Sequence, residues 1–336
     1  MKRTLIIAEA GVNHNGSAEI ARRLVDAAKE AGADAVKFQT FKAERIASRV
    51  ADKAAYQKMN ARGRETHLAM LKRLELSAKD HRDLAEHCQR RDLEFLSSPF
   101  DEESADFLEK IGVRRFKIPS GEITNFPLLS HIGRKRKPVI LSTGMATLGE
   151  IERAIEALEK AGAEGVSLLH CVTEYPAPFD EINLRAIHTM KEAFRIPVGY
   201  SDHTMGNEIA IAAVALGAEI IEKHFTLDRS LEGPDHKASL EPGELKEMIS
   251  AIRHVESALG NGRKAPAPCE VKNMAVARKS IVASKSINKG EKITPAKIAI
   301  KRPGNGIQPQ DWQKILGLTV NRKISSDEVI QWSDFR

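Results

Sequence analysis

Val198–Lys237 reads VGYSDHTMGNEIAIAAVALGAEIIEKHFTLDRSLEGPDHK, and its pattern is that of a strand, a helix and a second strand. A short apolar run from Ile196 to Tyr200 turns polar at Ser201–Thr204, the sequence SDHT. Asn207–Gly217 then carries Ile209, Ile211, Ala212, Val214, Ala215 and Leu216 at helical density, and Gly217 is placed as a C-terminal cap. A second apolar run, Glu219–Phe225, ends in Glu222-Lys223-His224. Neighbouring strands of a parallel sheet end on the same side. His203 and His224, each at a strand's carboxyl end, can therefore converge on one ion or one substrate. A single histidine there reads equally well as a hydrogen-bonded loop or core residue. Two at equivalent strand ends, beside Asp202 and Lys223, favour function, because the carboxyl ends of strands are where barrel sites sit.

Outward from this unit the same alternation repeats. Apolar runs occur at Thr4–Gly11, Ala35–Phe41, Leu93–Phe100, Arg115–Gly121, Pro138–Gly144, Gly165–Val172, Ile196–Ser201 and Glu219–Thr226. Helical patterns fall at Ala18–Ala31, Ala78–Arg91, Glu103–Ile111, Leu148–Ala161, Leu184–Phe194, Glu208–Leu216 and Glu244–Leu259. Eight such units predict a (β/α)8 TIM barrel, an α/β fold, over residues 1–262. A doubly wound open sheet is the competitor, but no GxGxxG follows the first strand. The second loop, 42–64, is long and charged, and a helical stretch follows at His67–Leu74. Such insertions form lids or subunit contacts. After Gly260 the character changes: NGRKAPAPC reads as a linker, placed at 263–279, before a small β-rich domain at 280–336. Its strand-like runs are Ser280–Ala283, Ile298–Lys301 and Thr319–Asn321. A core of that size is marginal alone, so the small domain is expected to pack on the barrel or on another chain.

Hydrophobic residues make up 42% and charged residues 29% of the 336, enough to build a full core. No apolar run approaches the ~20 residues of a membrane span, and MKRTLIIAEAG reads as a first strand because Glu9 interrupts it. Cys88, Cys171 and Cys269 are too scattered for a disulfide framework or a thiolate metal site, which suits a reducing cytoplasm. The net charge of +6 with 5% aromatics comes from basic residues spread along the chain. That fits an anionic small substrate and gives no footing for nucleic acid. The densest basic cluster, Arg134–Lys137, is expected to follow a helix C-terminus and face water.

The strand ends give a chemical inventory. They carry Glu9; Lys37 and Gln39; Ser97 and Ser98; Lys117, Ser120 and Glu122; Ser142 and Thr143; His170, Thr173 and Tyr175; Ser201, His203 and His224, with Asp235 and His236 beyond. Lysines with small hydroxyls and glycine-flanked turns suit a phosphate and a carboxylate. Lys37 and Lys117 lie in apolar runs, where an ammonium needs a partner. A bound anion would supply one; a salt bridge to Glu9 or Glu122 is the alternative. Glu9 can act as a general base. The role of His14 is open. Cys171 and His170 are strand neighbours on opposite faces and do not make a nucleophile pair.

The motifs EAGVNHNG, VKFQTF, FLSSPFD, FKIPSGEITNFPLL, ILSTGMATLGEI, LLHCVTEYPAPFDEINL, GYSDHT, IEKHFTLDR, GPDHKASLEP and KRPGNGI together resemble the sialic acid synthase family over nearly the whole chain. The C-terminal part resembles the antifreeze-like, or SAF, domain, a β-clip. The resemblance implies condensation of phosphoenolpyruvate with open-chain N-acetylmannosamine to N-acetylneuraminate and phosphate. It implies metal ligands at His203 and His224, holding manganese as a rule, with magnesium or cobalt as alternatives. It implies catalytic roles for Glu9, Lys37, Lys117 and His224. Phosphoenolpyruvate contacts would fall on Lys37, Ser98, Lys117, Ser120, Ser142 and Ser201, and sugar contacts on Gln39, Tyr175 and Asp235. Glu122 is also placed among the substrate-binding residues. Arg302 would enter the site of the partner in a domain-swapped homodimer. One departure is Thr173 in VTEYP, where some N-acetylneuraminate synthases carry Asn. A single hydroxyl there replaces an amide donor and acceptor. Legionaminate or pseudaminate synthesis from a 6-deoxy di-N-acylamino hexose is therefore the alternative.

Overall fold

The computed structural model describes residues 3–54, 57–58 and 65–336. It divides into two compact units after Gly260. The first holds eight parallel strands: β1 (Leu5–Gly11), β2 (Ala35–Thr40), β3 (Glu94–Pro99), β4 (Phe116–Ile118), β5 (Val139–Ser142), β6 (Val166–His170), β7 (Val198–Asp202) and β8 (Ile220–His224). Their order is 3-2-1-8-7-6-5-4, so β1 pairs with both β2 and β8. β4 lies against β3 and completes a near-barrel, although hydrogen-bonded pairing runs through the other seams only. Seven of the eight strands lie within the predicted runs, and β7 extends one residue beyond its own.

Helices α1 (Ala18–Ala31), α2 (Ala43–Ile46), α3 (His67–Leu74), α4 (Ala78–Arg90), α5 (Glu102–Lys110), α6 (Phe126–Gly133), α7 (Leu148–Ala161), α8 (Arg185–Phe194), α9 (Glu208–Ala215) and α10 (Pro242–Leu259) connect and follow them. Local chemistry sets their ends. Thr147 and Glu150 form a reciprocal capping box at the start of α7, and Gly162 closes it in the left-handed conformation. α6 is the helix that periodicity missed. It is short and begins FP, and Leu128, Leu129 and Ile132 are all buried, so an amphipathic stripe is hard to see. The basic cluster does follow α6, but Lys135 does not face water. Its side chain is 6% exposed and reaches Glu109 at 2.9 Å and Asp106 on α5.

Strand alternation builds the barrel interior in layers. Ile7, Ala35, Leu96, Ile140, Leu169 and Ile220 form an apolar plug, one residue from each of six strands. Two residues further along those strands stand Glu9, Lys37, Ser98, Ser142, Cys171 and Glu222. The period of two therefore places a polar layer directly on an apolar one, at the carboxyl end. The opposite strand faces, with Ile6, Ala8, Val36 and Phe38, join Leu24, Val25, Leu245 and Met248 of the helices in the main core.

In the second unit β9 (Ser280–Ala283) and β10 (Ile298–Lys301) pair antiparallel. They pack an isoleucine-rich core with Ile287, Ile293, Ile307, Ile315, Ile324 and Ile330. Thr319 and Val320 make isolated bridges instead of the expected third run. The expected linker 263–279 is not all irregular chain. It contains helix α11 (Pro268–Ala277), started by Pro268 and by Glu270 accepting from the Ala267 N–H. Helix α12 (Trp312–Ile315) is a single turn.

Candidate active site

The polar layer floors a cavity of about 240 Å³ at the carboxyl end of the first unit. Lys37 is its hub. Its Nζ lies 2.9 Å from Glu9 Oε1, 3.2 Å from Ser98 Oγ and 3.8 Å from Glu222 Oε2. Lys117 donates to Ser142 Oγ at 2.7 Å and to the Ile118 carbonyl at 3.3 Å, with Glu222 Oε1 at 3.6 Å. Ser201 donates to Glu222 Oε1 at 3.0 Å. Glu222 therefore bridges the two lysines, and the sequence reading did not single it out. The signal was available: Ile220, Glu222 and His224 share one face of β8, and that face ends at the predicted metal ligand. Of the two expected salt bridges, the one to Glu9 forms with Lys37, while Lys117 meets Glu222 and not Glu122.

The two imidazoles stand over this floor, their ring centroids 5.5 Å apart. Gly199 lets β7 and β8 approach closely, since a Cβ there would sit 2.2 Å from the Ile220 carbonyl oxygen. His203 Nδ1 donates to the Val172 carbonyl at 2.6 Å, which leaves Nε2 with the lone pair of a neutral ring. Burial pushes the His203 pKa down to about 4 and holds that of His224 well below its ordinary value. Both rings are thus unprotonated and able to ligate near neutrality. Tyr175 lies on His203 at 4.2 Å between centroids and meets His224 edge-on at 5.4 Å. His224 Nδ1 is buried without a hydrogen-bond partner among the described residues, and Asp235 Oδ2 is 3.9 Å away. Among the described residues no group of three or more His, Cys, Asp or Glu is disposed to hold a metal. The two rings fit a divalent cation as an open site, with the remaining positions left to water or substrate oxygens.

Burial dominates the electrostatics. It raises the Glu9 pKa to about 7, against the pull of Lys37 and with the help of Glu222. Burial also depresses Lys117. For Glu222 burial is opposed and outweighed by Lys117 and Lys37, so it stays ionised with a lowered pKa. Burial lifts Asp235 to about 6. Glu9 Oε1 faces Lys37, while Glu9 Oε2 and Glu222 Oε2 are buried without hydrogen-bond partners among the described residues. With Glu9 part-protonated near neutrality, the fully ionised carboxylate between Lys37 and Lys117 in this layer is that of Glu222.

Glu9, Lys37, Gln39, Ser98, Lys117, Ser120, Ser142, Tyr175, Ser201, His203, His224 and Asp235 all line this one cavity, as does Thr173. Glu122 does not. The chain leaves β4 through a 3-10 turn at Ser120–Glu122, and the Glu122 carboxylate accepts from Asn125 Nδ2 at 2.6 Å, at the start of α6. His14 is also outside it. It is buried, accepts from the Gly16 N–H at 2.9 Å, and burial lowers its pKa to about 3, so it is a neutral packing residue. His170 faces outward and bonds the Ile182 carbonyl at 2.7 Å. Arg302 belongs to the second unit, is exposed, and donates from Nε to the Ala277 carbonyl at 3.1 Å. The described part of the 42–64 loop includes α2, and Ala55, Tyr56 and 59–64 lie outside the described residues. No helix among the described residues is long and apolar enough to cross a membrane.

A barrel with a lysine-lined anion floor and paired imidazoles at the ends of strands seven and eight defines a class, and comparison with known proteins gives it a family. The NeuB family matches residues 24–264 and the SAF domain matches residues 278–336. The chain is 51% identical over 333 residues to the N,N'-diacetyllegionaminic acid synthase of Campylobacter jejuni, covering 98% of this chain and all of that one. It is 47% identical to the Legionella pneumophila protein of the same name, over 97% of this chain and 93% of that one. A crystal structure of N-acetylneuraminic acid (sialic acid) synthetase from Leptospira borgpetersenii aligns with TM-score 0.73 at 37% identity, covering 81% of this chain and 90% of that one. The chain belongs to the NeuB family and is a transferase, a nonulosonate synthase that condenses phosphoenolpyruvate with a sugar.

Proposed function

We propose that this synthase makes a legionaminate-type acid. Its second substrate is then an open-chain 6-deoxy di-N-acylamino hexose, in place of the N-acetylmannosamine expected first. The higher identity to the two legionaminic acid synthases than to the sialic acid synthetase supports this sugar. So does one wall of the cavity. Val12, Met70, Leu71, Leu74 and Phe100 line it and pack together in one apolar cluster, three of them from α3. A methyl at C6 and a second N-acyl methyl gain about 0.8 kcal/mol per buried carbon against such a wall. A 6-hydroxyl would lose its water there.

The observation that carries the reaction is the layer of Glu9, Lys37, Lys117 and Glu222 beneath the two imidazoles. Lys37, Lys117 and the serines hold the carboxylate and phosphate of phosphoenolpyruvate. C3 of the enol bonds to the sugar aldehyde carbon, leaving C2 electron-poor and the aldehyde oxygen as an alkoxide. Glu9 Oε2, buried and without a hydrogen-bond partner among the described residues, takes a proton from the water that adds to C2. One water proton passes to the alkoxide and the other leaves with phosphate as the C2–O bond breaks, so the balance closes. A divalent cation on His203 and His224, manganese in our reading, would supply Lewis-acid polarisation of the aldehyde. We place the reaction in the cytoplasm, consistent with three unpaired cysteines. We extend the proposal to a domain-swapped homodimer in which exposed Arg302 reaches the partner's site, on the resemblance of the SAF domain.

The test offers phosphoenolpyruvate with a panel of N-acyl hexoses and follows released phosphate. The 6-deoxy di-N-acetyl sugar is expected to exceed N-acetylmannosamine in kcat/KM by about tenfold or more. Leu71→Asn should narrow that gap. Preference for N-acetylmannosamine would overturn the sugar assignment while leaving the reaction class standing.

A further inference from the structure

Directly behind the two imidazoles, on the outer face of the same strands, lies a fully buried ion pair that the reaction does not use. Lys223 Nζ is 2.8 Å from Asp202 Oδ2, and both side chains are wholly inaccessible to solvent. The two residues stand opposite each other in the β7–β8 register. Asp202 Oδ1 accepts from the Thr204 N–H at 2.9 Å, from the Thr204 hydroxyl at 2.8 Å and from the Tyr200 hydroxyl at 3.2 Å. Lys223 also donates to the Thr204 carbonyl at 2.6 Å.

We propose that Asp202 and Lys223 are positioning residues that set the spacing of His203 and His224 and thereby the affinity of the cation site. Each charged residue immediately precedes one of the two histidines. Asp202 and Thr204 flank His203, and both are tied to Lys223, so the network bridges the two strand tips from behind. His203 has a further anchor in the Val172 carbonyl. The His224 ring has no such hydrogen bond at Nδ1 among the described residues; it meets Tyr175 edge-on, and its backbone is held by β8 and this bridge. Stability alone does not account for the pair, because a buried ion pair is commonly matched or exceeded by apolar residues of similar volume. Holding ligands in register accounts for it, as outer partners of metal-bound histidines commonly do.

The proposal rests on the two histidines binding a cation, and the experiment separates the two claims. Mn2+ affinity is measured by electron paramagnetic resonance on the full-length protein, with circular dichroism reporting the fold. Wild type should bind and His203→Ala should not; binding unchanged by His203→Ala would overturn the ligand assignment itself. The neutral exchange Asp202→Asn with Lys223→Met should keep the fold and weaken Mn2+ binding at least tenfold. Tyr200→Phe and Thr204→Val, which keep the charges and remove only hydrogen bonds to Asp202, should each weaken it severalfold. Phosphoenolpyruvate affinity without metal should stay unchanged in the Asp202, Lys223, Tyr200 and Thr204 variants, since Lys37 and Lys117 are untouched. A bridge that served folding alone would lower the melting temperature and leave Mn2+ affinity at the wild-type value. That result in folded variants would overturn the proposal.

Discussion

Glu9→Gln should lower kcat by about 10²–10⁴-fold, the range that a positioned general base contributes. The KM for phosphoenolpyruvate should move little, because Gln keeps an oxygen near Lys37 and the lysines hold the anion. The wild-type enzyme should also lose kcat/KM as pH falls through about 7, the pKa to which burial lifts Glu9 with the help of Glu222 and against Lys37. The sign follows from the role: the ionised form takes the proton from water, and acid removes that form. In Glu9→Gln this limb should be absent from the residual activity. Steady-state phosphate release between pH 5 and 9 checks both points. A variant with wild-type kcat would remove Glu9 from the chemistry.

His203→Ala should reduce turnover by about three orders of magnitude, on the scale of the several kcal/mol that a Lewis acid contributes at a carbonyl. The fold should survive. The ring sits at a strand tip facing the cavity, and its loss removes the bond to the Val172 carbonyl and the contact with Tyr175 while leaving the apolar plug below intact. A chelator should bring the wild-type enzyme to the same level, and added Mn2+ should restore the wild type but not the variant. Phosphate release with and without chelator, alongside thermal melts, reads this directly. Activity that persists in the folded variant would place the electrophilic catalysis elsewhere.

Much of this site was legible because strands alternate and barrels present their carboxyl ends. Once Ile7, Leu96 and Ile220 are read as one inward layer, the residue two further on each strand must stand above it. Glu222 is hard to single out in the sequence because it stands in a run of three ionisable residues, Glu222-Lys223-His224. Lys223 is as charged as the true inward residues, but points outward to Asp202. Glu122 looks like a site residue only if the strand runs on past Ile118. β4 ends at Ile118, and the turn that follows carries Glu122 to Asn125. The helix at 126–133 escaped because a short element buried over most of its surface shows no stripe. Proline and glycine mark the expected linker as a break, yet Pro268 there also begins a helix. The apolar wall on α3 was out of reach, since nothing local to His67–Leu74 says which cavity it faces.

In the proposed site one cation sits between His203 and His224 above the Lys37 and Lys117 floor. Diffraction at the manganese absorption edge, from crystals grown with Mn2+ and phosphoenolpyruvate, tests it most directly. A single anomalous peak is expected within coordination distance of both imidazoles, with the phosphate and carboxylate of phosphoenolpyruvate on the two lysines. A peak bound away from these rings, or phosphoenolpyruvate lodged outside the lysine-lined floor, would contradict it.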